Sequence, residues 1–177
     1  MANSKGSKET VLSIRTAKEM REVMMDPAAN APEEAYYMIR RSGMNITVLP
    51  EYRLGREYPK TYGHFHQPEA EEKYEILLGE AAMLLQKGVN PIGEVRLIRL
   101  ERGDSITVPK GYAHSLVNLG TGPVATLDDH DSANFENVYD WIRTKCGFAY
   151  YIVEDSEGRP EAIPNLHYEG IPPIKYE

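Results

Sequence analysis

Residues 103–118 read GDSITVPKGYAHSLVN, two short apolar runs set off by turn residues. Gly103-Asp104 opens the first run, and Pro109-Lys110-Gly111 separates it from the second. Runs this short, rich in Val, Ile, Leu, Thr and Tyr and bounded by Gly and Pro, are strand signals. The same pattern extends outward on both sides. MNITVLP (44–50), YEILLG (74–79), AAMLLQK (81–87), EVRLIRLE (94–101) and PVATLDD (123–129) follow at short intervals, punctuated by Gly79, Gly88, Gly93 and Gly120 to Gly122. Many short strands with regular turns predict an all-β antiparallel sandwich or barrel.

Less of the pattern is regular at the two ends. Residues 1–10 are polar and read as loose. Residues 16–25, TAKEMREVMM, predict a short helix capped by Thr16 and stopped before Pro27. A second helix is expected over 32–41, followed by a turn at Ser42-Gly43. A helical stretch over 137–145 precedes a last strand at 148–154. The tail from Gly158 holds four of the twelve prolines and reads as an irregular wrap. The expected organisation is one domain over 1–177, with an N-terminal extension (1–43) carrying short helices, a barrel core (44–154) and a C-terminal tail (155–177).

With 177 residues and 41% hydrophobic composition, the chain can bury a substantial core. Its net charge of −7 argues against binding nucleic acid by neutralising phosphates. No apolar run reaches membrane-spanning length, and the first residues lack the apolar core of a signal peptide, so a cytoplasmic protein without membrane partners is expected. One cysteine, Cys146, leaves neither a disulfide framework nor a Cys-rich zinc site, and it is expected to be buried and inert.

The chemistry concentrates in residues 63–79, GHFHQPEAEEKYEILLG. On a strand, His64 and His66 face the same way, and His114, Leu116 and Asn118 share a face of a second strand. Imidazoles from two strands plus one carboxylate make a ligand set for a divalent first-row metal. Glu72 and Tyr74 share a face, while Glu75 faces the other way. Glu69 and Glu71 sit beside Pro68 and read as loop charges, with Glu71 kept as an alternative to Glu72. His130 and His167 read as surface residues, His130 with a second possibility of lining the barrel mouth. Arg96, Arg99 and Arg102 read as exposed.

Two motif halves carry a resemblance. Gly103, Pro109, Gly111, His114 and Asn118 match, position for position, the second half of the signature of the cupin superfamily, whose double-sheet barrels hold a metal inside. Glu72 and Gly79 continue the first half, which departs from the signature in two places. Tyr58 stands where a glycine is usual, and the gap from His66 to Glu72 is longer than the common one. TYGHFH, ExYExLxG and MLLQ, with REVMMDP, EAYYMIR and VPKGYAHSLVNLG, resemble the archaeal-type glucose-6-phosphate isomerases over residues 12 to about 155.

That resemblance implies a jelly-roll barrel with short peripheral helices. It also implies an aldose–ketose isomerase of glycolysis and gluconeogenesis, interconverting glucose 6-phosphate and fructose 6-phosphate. His64, His66, Glu72 and His114 match its metal ligands. Thr47, Thr61 and Gly63 fall where the family holds the sugar phosphate, and Tyr74 and, more loosely, Tyr139 match tyrosines lining the site. The expected catalytic set is Glu72, Tyr74 and His114. The expected cofactor is one divalent ion, Fe2+ first, with Mn2+, Ni2+, Zn2+ and Co2+ also compatible. A homodimer is implied. Two rival readings are another metal-cupin enzyme, such as a dioxygenase, and a non-catalytic sugar-binding cupin.

Overall fold

The computed structural model of the chain describes residues 10–41, 44–131 and 134–177, so the expected loose start and the turn at Ser42-Gly43 lie outside the described residues apart from Thr10. The chain opens with β1 (Val11–Thr16), α1 (Ala17–Met20) and a 3-10 turn at Arg21–Val23. Strands β2 (Glu34–Arg40), β3 (Asn45–Leu49), β4 (Phe65–Gln67), β5 (Glu72–Leu78) and β6 (Glu80–Lys87) follow. Next come β7 (Glu94–Glu101), β8 (Ser105–Val108), β9 (Tyr112–Asn118), β10 (Val124–Asp128) and β11 (Glu136–Val138). The chain ends with α2 (Asp140–Thr144), β12 (Tyr150–Glu154), β13 (Pro160–Pro164) and β14 (Lys175–Tyr176).

The architecture is the expected all-β double-sheet barrel. One sheet runs β1-β2-β3-β10-β5-β8 and the other β14-β7-β6-β9, with β11-β4 and β12-β13 as separate pairs. Pairing is antiparallel except for β14 alongside β7. Strand β6 is buried along six consecutive residues, because both of its neighbours are paired and both of its faces are covered. Met83, Leu84 and Leu85 of β6 join Leu49, Ile76 and Ile142 among the largest fully buried side chains.

Gly79 is the corner at which the chain leaves the first sheet for the second. Its φ of 85° lies in the left-handed region, and a Cβ there would stand 2.6 Å from the Pro123 carbonyl. Only glycine fits such a position without strain. Tyr58, in place of the motif glycine, is a buried core residue whose ring lies 4.4 Å from the Arg53 guanidinium.

The expected first helix forms, shortened to α1 and its 3-10 turn. Thr16 Oγ1 accepts from the Glu19 N–H at 3.3 Å, while Glu19 Oε2 accepts from the Thr16 N–H at 2.8 Å, a reciprocal cap. The expected helix over 32–41 does not form. EAYYMIR is strand β2, pairing with β1 on one side and β3 on the other. Its buried Ala35 and Tyr36 and its two ladders outweigh the local helix preference of Glu, Ala and Met. The expected helical stretch over 137–145 divides into β11 and α2, and the tail supplies β13 and β14. Cys146 is half-buried with φ of 55°, not buried as expected, because it turns the chain after α2.

Candidate metal centre and its cavity

Four side chains from three parts of the chain converge inside the barrel. His64 is bridged to His114 of β9, with its N–H donating to the His114 carbonyl at 3.3 Å and the reverse bond at 3.1 Å. His66 lies on β4 and Glu72 opens β5. One ligand atom from each of His64, His66, Glu72 and His114 lies within 4.8 Å of the others. His64 and His66 present their Nε2 atoms 3.2 Å apart. Glu72 Oε2 lies 3.0 Å from Nε2 of both His66 and His114.

Despite these short approaches, Glu72 Oε2 is buried without a hydrogen-bond partner. A buried, orphaned carboxylate oxygen is costly unless a cation completes it. Three imidazoles and one carboxylate are ligand types that suit a divalent first-row metal. The donor set therefore fits a divalent metal. His66 Nδ1 lies 3.3 Å from the Ala70 carbonyl, so its N–H donates there and Nε2 is left with a lone pair facing the cluster. The residues that make the gap from His66 to Glu72 long are the ones that supply this orienting carbonyl.

Electrostatics favour the ligand forms. Burial, with the His114 ring beside it, pushes the His64 imidazole well below its ordinary pKa, towards the neutral form. Burial raises the Glu72 carboxyl, but the adjoining imidazoles of His114 and His66 outweigh it and hold the group below the usual carboxylate range. Burial, and then the charge of Glu72, keep the Tyr74 phenol protonated. Its hydroxyl lies 3.1 Å from His114 Nε2.

The cluster opens onto a cavity of about 620 Å³ including its mouth. The wall is the inner face of the six-stranded sheet: Tyr36, Met38 and Arg40 of β2, Asn45 and Thr47 of β3, Thr126 and Asp128 of β10, and Glu72 and Tyr74 of β5. Arg15, Thr61, Gly63, His64, His114, Leu116, His130, Asn137 and Tyr139 complete it. All the site residues expected from the sequence thus meet in one place except His66, which belongs to the cluster but does not line the cavity. Among the glutamates, Glu69, Glu71 and Glu75 are exposed while Glu72 is buried. His167 is exposed, whereas His130 is buried at the cavity wall with Nδ1 3.9 Å from Glu72 Oε1.

Two expectations gain detail. Thr61 Oγ1 accepts the Leu116 N–H at 3.0 Å and lies 3.4 Å from Ser115 Oγ, which fixes the hydroxyl at the cavity wall while leaving its own proton to donate. Gly63 has φ of 80°, and a Cβ there would run into the Phe148 ring and sit 3.2 Å from the His114 carbonyl. Glycine at this position lets the His64 segment pack against β9.

Sequence reading passed over Arg15, Arg40, Asn45 and Asp128. Asn45 Nδ2 donates to Asp128 Oδ1 at 2.8 Å and to the His130 carbonyl at 3.1 Å. Burial and the neighbouring Glu72 charge push the Asp128 carboxyl up to about 7. The signal for Asp128 was phase: Thr126, Asp128 and His130 are spaced two apart, the spacing of one strand face.

Comparisons with known proteins give the chain's family. The family model described as glucose-6-phosphate isomerase matches residues 14–167. The chain is 36% identical over 124 residues to the glucose-6-phosphate isomerase of Pyrococcus horikoshii, covering 70% of this chain and 62% of that protein. It is 34% identical to that of Pyrococcus furiosus with the same coverage. Against that of Sinorhizobium medicae it is 32% identical, covering 64% of this chain and 51% of that protein. The chain thus spans about three fifths of the length of the Pyrococcus relatives it matches. The chain belongs to the glucose-6-phosphate isomerase family.

Proposed function

We propose that the protein interconverts glucose 6-phosphate and fructose 6-phosphate, with one divalent metal ion held by His64, His66, Glu72 and His114. The observation that carries this reading is the meeting of these four ligand atoms within 4.8 Å, beside a cavity, in a chain of this family. A bound divalent ion supplies polarisation of the sugar's carbonyl and hydroxyl oxygens. Glu72 is the base, ionised and adjacent to the substrate space, taking the proton from C2 of the open-chain aldose and returning it to C1 while the hydroxyl proton passes from O2 to O1. Tyr74 stays protonated and donates its hydroxyl to a sugar oxygen, from beside the ligand nitrogen of His114. Thr47, Thr61, Gly63 and Tyr139 shape the part of the cavity that receives the remainder of the sugar phosphate.

The remaining expectations belong to the same proposal. Fe2+ is the assigned ion, and the reaction is placed in glycolysis and gluconeogenesis. A cytoplasmic setting is supported by a single free cysteine, which suits a reducing compartment. A homodimer is supported by edge strand β1, whose Leu12 and Ile14 form an exposed apolar patch with Ile39.

The test is to purify the protein with a defined metal and assay fructose 6-phosphate conversion before and after chelation. Metal-dependent turnover that disappears in Glu72→Ala is expected. Oxygen uptake without isomerisation would overturn the reading. In deuterated water, label at C1 or C2 of the product is expected if Glu72 moves the proton, and its complete absence would remove Glu72 from the role of base.

A further inference from the structure

We propose that Arg15, on the first strand of the chain, is the cation that recognises the phosphate of the sugar in the cavity. The proposal rests on the isomerase reading above and assigns to that site a residue outside the barrel motifs.

Arg15 pairs with Tyr36 across β1 and β2, and both side chains face the cavity. The guanidinium is held from three sides. Nη1 donates to Glu19 Oε1 at 3.0 Å, and Cζ lies 5.0 Å from the centre of the Tyr62 ring and 5.7 Å from that of Tyr139. Glu19 is only a partial partner, because its other oxygen is taken by the backbone N–H and hydroxyl of Thr16, both at 2.8 Å. An arginine carries five N–H donors, and Nε of Arg15 is buried with no hydrogen-bond partner. An unpaired buried donor of this kind calls for an acceptor from a ligand.

Its position suits a phosphate. The Tyr36 hydroxyl accepts the Tyr62 N–H at 3.2 Å, which places the Arg15–Tyr36 pair against the backbone between Thr61 and Gly63. Thr61, the hydroxyl expected there, is neutral and offers a single O–H donor. Neutral hydroxyls alone would give a phosphate dianion no charged partner at that end of the cavity. The cavity's other arginine, Arg40, donates to Met38 Sδ at 3.1 Å and exerts its charge on His130. Arg15 brings a fixed, braced charge to the Tyr62–Tyr139 side, and a planar fork is suited to two phosphate oxygens.

The test compares fructose 6-phosphate with unphosphorylated fructose as ligands of the metal-loaded protein, by calorimetry and by steady-state kinetics. Arg15→Gln is expected to weaken fructose 6-phosphate binding about tenfold or more, with the larger share of any kinetic loss in KM. Fructose binding is expected to stay as in the parent, and Arg15→Lys to recover part of the lost affinity. Melting temperature and metal content are measured alongside. Equal losses for both sugars, or fructose 6-phosphate affinity within twofold of the parent, would overturn the proposal and leave Arg15 a brace for Tyr62 and Tyr139. A second measurement needs no variant: fructose 6-phosphate or inorganic phosphate should protect Arg15 from phenylglyoxal in the parent protein, whereas fructose should not. Labelling unaffected by either phosphate compound would also overturn it. Fructose 6-phosphate that binds through Arg15 without turning over would sink the isomerase reading and leave this one standing. Turnover with an unchanged KM in Arg15→Gln would do the reverse.

Discussion

Two glutamates, Glu57 and Glu72, are buried to the same degree and differ in nearly everything else. Glu57 pairs through Oε1 with the Lys60 ammonium, and its Oε2 accepts the Met25 N–H at 2.9 Å. Lys60 in turn donates to the Val23 carbonyl at 2.7 Å. Each charge is answered, and the result is a clamp between the barrel and the segment after α1. Glu72 faces three imidazoles and a tyrosine, and its Oε2 is left without a hydrogen bond. The contrast separates buried charge that holds a fold together from buried charge held ready for a ligand. Incomplete hydrogen bonding, more than burial, marks the functional one.

The sharpest way to break this comparison is to remove each carboxylate. Glu72→Ala, or His114→Ala, is expected to lose bound metal and to reduce turnover about 10³-fold or more, while the barrel still folds. Metal analysis beside activity checks it, and unchanged metal content in His114→Ala would mean that the ligand set is wrong. Glu57→Ala should do the opposite. It strands the Lys60 ammonium in the core and is expected to cost about 3–5 kcal/mol of stability, read by denaturant unfolding, with metal still bound by the folded fraction. Replacing Glu57 and Lys60 together by Met should restore most of that loss, because a satisfied buried pair is often no better than packed apolar groups.

Smaller changes sharpen the boundary between the two regions. Gly63→Ala imposes a side chain at φ of 80° against Phe148 and the His114 carbonyl. A loss of about 1–3 kcal/mol is expected, together with weaker metal binding, since His64 is the next residue. Thr16→Ala removes the cap of α1 and should cost about 1 kcal/mol, with metal content unchanged. Metal loss in Thr16→Ala would join the two regions into one.

The barrel was legible because its strands are short, β-branched and punctuated by glycine, and because the second motif half sits intact in residues 103–118. The His/Glu cluster was legible because strand phase puts His64 and His66 on one side and Glu72 with Tyr74 on another strand's inner face. EAYYMIR misled because Glu, Ala and Met favour helix locally, and only pairing with β1 and β3 decides otherwise. Strand β1 was invisible for a similar reason: VLSIRT is mostly exposed and has meaning only beside β2. Arg15 and Asn45 reach the cavity through pairings of strands distant in sequence, which local spacing cannot report.

The most direct test of the central claim is a titration of chelated protein with Fe2+, following bound metal and fructose 6-phosphate turnover in the same samples. Turnover should rise in proportion to occupancy and saturate at one ion per chain, with neither signal recovered in Glu72→Ala. Full turnover in metal-free protein, or an ion bound equally well without Glu72, would contradict the account.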